Sequence, residues 1–320
     1  MQGSKSNSAK TPSDKVLPVK WLIYGHRGWI GCQVVELLSK DPSNILCLPE
    51  TRIDNVEEIK KDLDCFQPDR VISLTGRTHG PGYGTIDYLE QKGKLTENIR
   101  DNLYGPIVLA TICRERNIHY TYLGTGCIFT YDEEHPMDFE QMSIDQDRTK
   151  MLFDETALPN YFDSSYSAVK GFTDRLMHLY DDSCLNIRIR MPITSHDNPR
   201  NFISKIIRYQ KVISIPNSMT VLDELLPAML RLSQERVTGT VNLCNPGVIS
   251  HNEILDLYRE YVDPKFTYQN FSAEELLKVT ACGRSNNALS TEKLETLVSR
   301  YDLKVSPIKE AVVEALKCWH

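Results

Sequence analysis

Seven residues near the start of the chain, Gly25-His26-Arg27-Gly28-Trp29-Ile30-Gly31, constrain its fold more than any other feature. They follow Trp21-Leu22-Ile23-Tyr24, a short apolar run that reads as a buried strand. Beyond them Ile30, Val34, Leu37 and Leu38 recur at helical spacing. A strand therefore passes through a glycine turn straight into a helix. The glycines permit a tight turn and a close backbone approach, and the helix N-terminus then offers unpaired N–H groups to an anion.

The same alternation continues down the chain. Strands are predicted over 45–48, 70–74, 120–123 and 185–189. Helices are predicted over 56–63, 95–116 (interrupted only at Gly105-Pro106) and 167–180, with a small-residue turn at Gly124-Thr125-Gly126. Alternating strands and helices pair in parallel through right-handed crossovers. The expected fold is α/β, a Rossmann doubly wound parallel sheet with a smaller C-terminal lobe. At 320 residues the chain is too long for one ordinary core. After Pro192 prolines break it into short elements, which gives a tail over 1–17, a cofactor domain over 18–192 and a substrate-binding lobe over 193–320. Part of that lobe is free to return to the sheet.

Composition narrows the partners. A formal net charge of -6 argues against nucleic acid. No apolar run reaches the ~20 residues of a membrane span. The polar N-terminus lacks the apolar core of a secretory signal. Nine scattered cysteines with no C-x-x-C pattern favour free thiols in a reducing compartment, so the expected location is cytoplasmic. No metal-ligand spacing stands out.

The strand–glycine turn–helix arrangement points to a dinucleotide held by Gly25, Arg27, Gly28, Trp29, Ile30 and Gly31. After the second strand an acid would take a free ribose hydroxyl, and an arginine a ribose phosphate. Arg52 stands there and Arg27 lies in the loop, which favours NADPH over NADH. Glu50 and Asp54 pull the other way.

Tyr166 and Lys170 form Y-x-x-x-K on a helix, so both side chains share one face. The ammonium is expected to lower the Tyr166 pKa from its usual ~10, preparing the phenol to protonate a carbonyl oxygen as hydride reaches carbon. Lys170 also suits the nicotinamide ribose hydroxyls. Thr125, at a strand end, is placed to hydrogen-bond the substrate oxygen. Asn102, on the preceding long helix, is a candidate to hold a backbone carbonyl or water in a proton relay, and is counted among the substrate-binding residues.

Together these residues resemble the extended short-chain dehydrogenase/reductase superfamily, which implies cofactor contacts from Leu74, Thr75 and Gly76 after the third strand, where many relatives carry Asn-Ala-Ala instead. Longer runs are similar to the plant-type bifunctional nucleotide-rhamnose synthase/epimerase-reductases. They are 124–129, Arg190-Met191-Pro192-Ile193, 198–205, 215–227, 245–255 and Arg284-Ser285-Asn286-Asn287. The resemblance implies UDP- or dTDP-4-keto-6-deoxy-glucose as substrate, epimerised at C3 and C5 and then reduced at C4. It also implies a base at Cys127, since the related GDP-fucose synthases carry a cysteine there. Lys205 is the acid implied by its flanking residues, with His196 the competing choice. Arg200 and Arg284 are implied as diphosphate clamps, with Asn201 and Asn286 beside them.

Lacking a dehydratase region, the chain is expected to take its keto sugar from a separate 4,6-dehydratase. Homodimerisation is compatible with the sequence and not fixed by it. Two rivals stand beside this reading: a 4-reductase without epimerase activity, of the dTDP-4-dehydrorhamnose reductase type, and a non-catalytic NADP-binding regulatory subunit.

Overall fold

In a computed structural model the described residues are 18–138, 148–272, 275 and 283–320. The tail expected over 1–17 lies outside them. The chain opens with β1 (Lys20–Tyr24), α1 (Trp29–Ser39), β2 (Ile45–Cys47), α2 (Val56–Phe66) and β3 (Arg70–Ser73). A long helical rod follows, made of α3 (Leu95–Ile99), a π-helical turn at Arg100–Tyr104 and α4 (Gly105–Glu115). Next come β4 (His119–Thr125), α5 (Ser165–Met177) and β5 (Cys184–Ile189). The later part holds β6 (Pro192–Ile193), α6 (Phe202–Ile206), β7 (Thr220–Val221), α7 (Leu222–Gln234), β8 (Gly239–Asn242), α8 (His251–Tyr261), α9 (Glu292–Arg300) and α10 (Ile308–Lys317).

Six strands form one parallel sheet in the order β2-β1-β3-β4-β5-β8. Strand β8 comes from beyond Pro192, so the C-terminal half does supply a sheet strand. Strand alternation divides the core. Trp21 and Ile23 face a cluster with α1, α7 and α9. Leu22 and Tyr24 face the opposite cluster with α2, α4 and α5. With both faces covered, β1 reads as a continuous apolar run. A third cluster joins β6, β7, α6, α8 and α10 into the lobe beside the sheet.

Two local expectations are corrected. Gly105-Pro106 does not interrupt the long helix, because Pro106 falls in the first turn of α4, directly after the π turn. Gly105 is required for contact, since a Cβ there would stand 2.6 Å from Ile53 Cγ1. Strand β4 also runs on through Gly124 and Thr125, which pair with Arg188 and Ile189. Thr125 is thus the last residue of the ladder and not part of a turn.

Candidate active site

The sheet order reverses direction at β1, whose neighbours are β2 and β3, so a crevice opens beyond its carboxyl end. Gly25 has φ +81°, and a Cβ there would lie 2.8 Å from the Leu74 carbonyl carbon. A Cβ at Gly31 would run into the Gly25 carbonyl oxygen. Gly25 lets the loop after β1 pack directly on the turn after β3, and Gly31 lets the first turn of α1 close on that loop. The first turn of α1 holds no acidic residue. A cavity of about 330 Å³ lies here, lined by the glycine loop, residues 49–53, Thr75, Gly76, Arg77, His79 and Asp101. Its glycine walls and free helix N-terminus fit a dinucleotide pyrophosphate. Trp29 and Ile30 pack their side chains on the core, so only their backbone N–H groups can serve it.

At the ribose end each cation meets an acid. Arg27 is paired with Glu50. Arg52 bonds Asp54 at 3.0 Å and Asp101 at 2.8 Å. Arg77 bonds Asp101 at 2.8 Å and Glu97 at 2.8 Å.

Helix α5 is capped by Ser164, whose Oγ accepts from Ser167 N at 3.0 Å. It carries Tyr166 and Lys170 inward, 6% and 5% exposed. The Tyr166 hydroxyl lies beside Thr125, whose Oγ1 leans on the Ile189 carbonyl at 3.4 Å. Thr125 Oγ1 also accepts Cys127 N at 3.0 Å. Cys127 is half-buried and packs beside Tyr166, Tyr88 and Leu89.

The electrostatics differ from expectation. Lys170 donates to the Tyr122 hydroxyl at 2.6 Å, not to Tyr166. Burial, with a smaller push from Cys127, raises the Tyr166 pKa above its ordinary value, and the neighbouring Thr125 hydroxyl offsets part of this. Burial pushes the Lys170 pKa down to about 8, against the pull of Cys127 and Asp174. Tyr166 is therefore held protonated, the form that donates to a carbonyl oxygen. Tyr122 escaped the sequence reading. Its one signal was the Tyr120-x-Tyr122 alternation, which sends both rings to the α5 side of the sheet.

The expected substrate contacts divide. Asn102 is wholly buried in the π turn. Its amide accepts Arg77 N at 3.0 Å and donates to Arg77 O at 2.9 Å and Asn98 Oδ1 at 2.8 Å. It holds a backbone carbonyl, one of the two roles the sequence offered, and so clamps the segment after Gly76 instead of facing substrate. Asn201 is likewise corrected. It caps α6 through Ile203 N at 3.1 Å and donates to the Thr194 and His196 carbonyls at 2.8 Å each.

Asn286 bonds the Arg284 carbonyl at 3.1 Å and accepts from Asn217 at 2.9 Å. Arg284 reaches Asp87 at 2.9 Å, and Arg200 bonds the His79 ring. Burial pushes the half-buried Lys205 pKa down, with the Arg200 charge adding to it. Burial also pushes the His79 pKa down, helped by Arg200, Arg77 and Lys205. His79, Arg200 and Lys205 thus form one basic group beside the cofactor cavity. His196 is solvent-exposed and lies edge-on to the His320 ring, 4.1 Å between centroids.

The sequence profile of the NAD dependent epimerase/dehydratase family matches residues 21–212. The chain is 48% identical over 294 residues to protein L780 of Acanthamoeba polyphaga mimivirus, covering 92% of this chain and 98% of that one. The crystal structure of L780, described as a UDP-rhamnose synthase, aligns with a TM-score of 0.86 over 94% of this chain and 99% of that one. The bifunctional dTDP-4-dehydrorhamnose 3,5-epimerase/dTDP-4-dehydrorhamnose reductase of Arabidopsis thaliana is 41% identical over 277 residues, 86% of each chain. A dTDP-4-dehydrorhamnose reductase from Bacillus anthracis in complex with NADP shares the fold. Its TM-score is 0.72 at 17% identity, over 93% of this chain and 97% of that one.

Proposed function

The chain belongs to the NAD dependent epimerase/dehydratase family, and from that premise we propose that it makes UDP-L-rhamnose from UDP-4-keto-6-deoxy-glucose. Epimerisation at C3 and C5 comes first and reduction at C4, with NADPH, follows. The observation that carries this reading is the meeting of Thr125, Tyr166 and Cys127 at the carboxyl end of β4. It is supported by a likeness that runs the length of a UDP-rhamnose synthase and of a bifunctional epimerase/reductase.

The chemistry is economical. C3 and C5 both flank the C4 ketone, so each proton to be removed is α to one carbonyl. Thr125 and Tyr166 hydrogen-bond that oxygen and stabilise it as an enolate. Cys127 takes the α-proton, and Lys205 returns one from the opposite face. Lys205 suits an acid because burial and Arg200 loosen its proton. Bound NADPH supplies the hydride to C4. Tyr166 then gives its proton to the same oxygen, and Lys170, held by Tyr122, orders the nicotinamide ribose.

Arg27 and Arg52 at the ribose end support NADPH over NADH. Arg200 and Arg284 are the cations for the diphosphate. The keto sugar comes from a separate 4,6-dehydratase. A homodimer is supported by the exposed apolar side chains of Phe172, Leu176 and Leu179 along and just beyond α5. Sedimentation of the purified chain tests it.

The deciding experiment supplies UDP-4-keto-6-deoxy-glucose and NADPH with no added epimerase and identifies the product by NMR. UDP-L-rhamnose, with solvent deuterium at C3 and C5 when run in heavy water, is the expected outcome. A 6-deoxy-glucose product without exchange would establish a reductase alone. No NADPH oxidation with either UDP or dTDP keto sugar, even after a 3,5-epimerase is added, would establish a binding subunit, and oxidation only after that addition would also establish a reductase alone.

A further inference from the structure

The segment Arg190-Met191-Pro192-Ile193 and the asparagine-rich runs near 217 and 287 stand out in the sequence but touch none of the reacting groups. The structure joins them. Arg190 is 1% exposed, and no carboxylate among the described residues pairs with it. Its guanidinium is spent on neutral oxygens. Nη1 donates to the Gly126 carbonyl at 3.3 Å and to Ser285 Oγ at 2.7 Å. Nη2 donates to the Ser285 carbonyl at 3.1 Å and to Asn217 Oδ1. Nε donates to the Ser218 carbonyl at 3.4 Å.

A buried guanidinium is costly unless its donors are well met. Here the cost is borne at the loop that carries Cys127. The β4 ladder ends at Thr125, opposite Ile189. Beyond it, the carbonyls of Gly126 and Phe129, on either side of Cys127, are held by one polar cluster. Asn287 Nδ2 donates to Gly126 O at 3.0 Å and Phe129 O at 2.9 Å, and Ser285 Oγ donates to Phe129 O at 2.6 Å. The Arg190 stem runs so close beneath Gly126 that a Cβ there would lie 3.0 Å from its Cγ and Cδ. The next residue, Met191, takes the left-handed φ of +37°, which a residue with a side chain adopts only when its surroundings impose it.

We propose that Arg190 is the positioning residue for Cys127: its fork, with Ser285 and Asn287, fixes the 126–129 loop so that the thiol reaches the α-protons of the keto sugar. Thr125 and Tyr166 need no such help, because the sheet ladder and α5 hold them. Arg190 therefore serves epimerisation and not reduction. The inference rests on the reading of Cys127 as the base.

Two reactions separate these tasks. Exchange of the C3 and C5 protons of UDP-4-keto-6-deoxy-glucose in heavy water, without reductant, reports Cys127. Oxidation of UDP-L-rhamnose by NADP⁺ reports hydride transfer alone, since C4 gives up hydride and its hydroxyl gives up a proton with no bond changed at C3 or C5. Arg190→Lys keeps the charge and loses the fork. Asn287→Ala keeps Arg190 and loses both loop hydrogen bonds.

Misplacing a base by about 1 Å costs on the order of a hundredfold, so exchange is expected to fall by about that factor in Arg190→Lys and in the same direction in Asn287→Ala. Hydride transfer is expected to stay within about twofold of the parent. A parallel loss of both activities in folded variants, or full exchange, overturns the proposal. Thermal unfolding establishes which variants fold, and Asn287→Ala decides alone if Arg190→Lys does not. Cys127→Ala separates the two levels. Exchange that survives there overturns the base reading itself, and the Arg190 inference with it.

Discussion

The two ends of the cofactor crevice are built on opposite electrostatic principles. At the ribose end Arg27 and Arg52 are 74% and 54% exposed at the side chain, and each already holds a carboxylate. Exposed pairs of this kind are worth about 0–1 kcal/mol and yield to any competing anion. At the end proposed as catalytic Thr125, Tyr166 and Lys170 are all less than a tenth exposed, Thr125 against the Ile189 carbonyl and Lys170 on the Tyr122 hydroxyl. Burial there shifts both titrations, raising the Tyr166 pKa and lowering that of Lys170 to about 8. The contrast teaches where substitutions act. The proposed function therefore predicts that chemistry depends steeply on the buried groups and cofactor choice shallowly on the exposed ones.

The steepest test is Tyr166→Phe, which removes the proton donor and keeps the ring. General acid catalysis contributes roughly 10²- to 10⁴-fold, and NADPH oxidation with UDP-4-keto-6-deoxy-glucose is expected to fall within that range. Cofactor affinity, read by fluorescence titration, is expected to be unchanged. A comparable loss in Arg52→Ala would erase the distinction between the two ends.

Lys170 gives an intermediate test through stability. Its folded pKa of about 8 lies below the ordinary 10.5, so between those values the unfolded chain binds more protons than the folded one. Stability contributed by this group is therefore lowest below pH 8 and rises as pH climbs toward 10.5. Lys170→Met removes the penalty. Its gain in melting temperature over the parent, measured without cofactor, is expected to be full at pH 7 and to shrink through pH 8 to 10. A gain independent of pH would show that burial does not depress Lys170.

These residues were also the legible ones. An i, i+4 pair on a helix is local geometry, and its place between two strands downstream of the glycine loop singled out Tyr166 and Lys170 from a spacing that is common by itself. The glycine loop is local in the same sense. Tyr122 was hidden because it meets Lys170 only through the pairing of β4 with the elements around it. Asn102 and Asn201 were placed at the substrate, yet both satisfy nearby backbone, as an asparagine at a helix turn or cap most readily does, and for Asn102 the carbonyl contact was one of the roles the sequence offered. Arg190 stood out in the sequence as a conspicuous run, but its partners at 126, 217, 218 and 285 converge only in the fold. Strand β8, four residues long, carried too little pattern to be read.

The shallowest test lies at the ribose end and sharpens the contrast most finely. Glu50 faces Arg27 across the cavity mouth, where it both occupies the cation and would repel a ribose phosphate. Glu50→Gln removes both effects, so the ratio of kcat/KM for NADPH over NADH is expected to rise by about two- to fivefold, the range of an exposed charge pair. Arg52→Ala is expected to lower that ratio by a similar factor, since Asp54 and Asp101 already share its guanidinium. Both changes should fade as ionic strength approaches about 1 M, where the screening length falls to roughly 3 Å. A shift larger than about a hundredfold, or one that survives high salt, would mean that the ribose end closes around the cofactor and acts as a buried site after all.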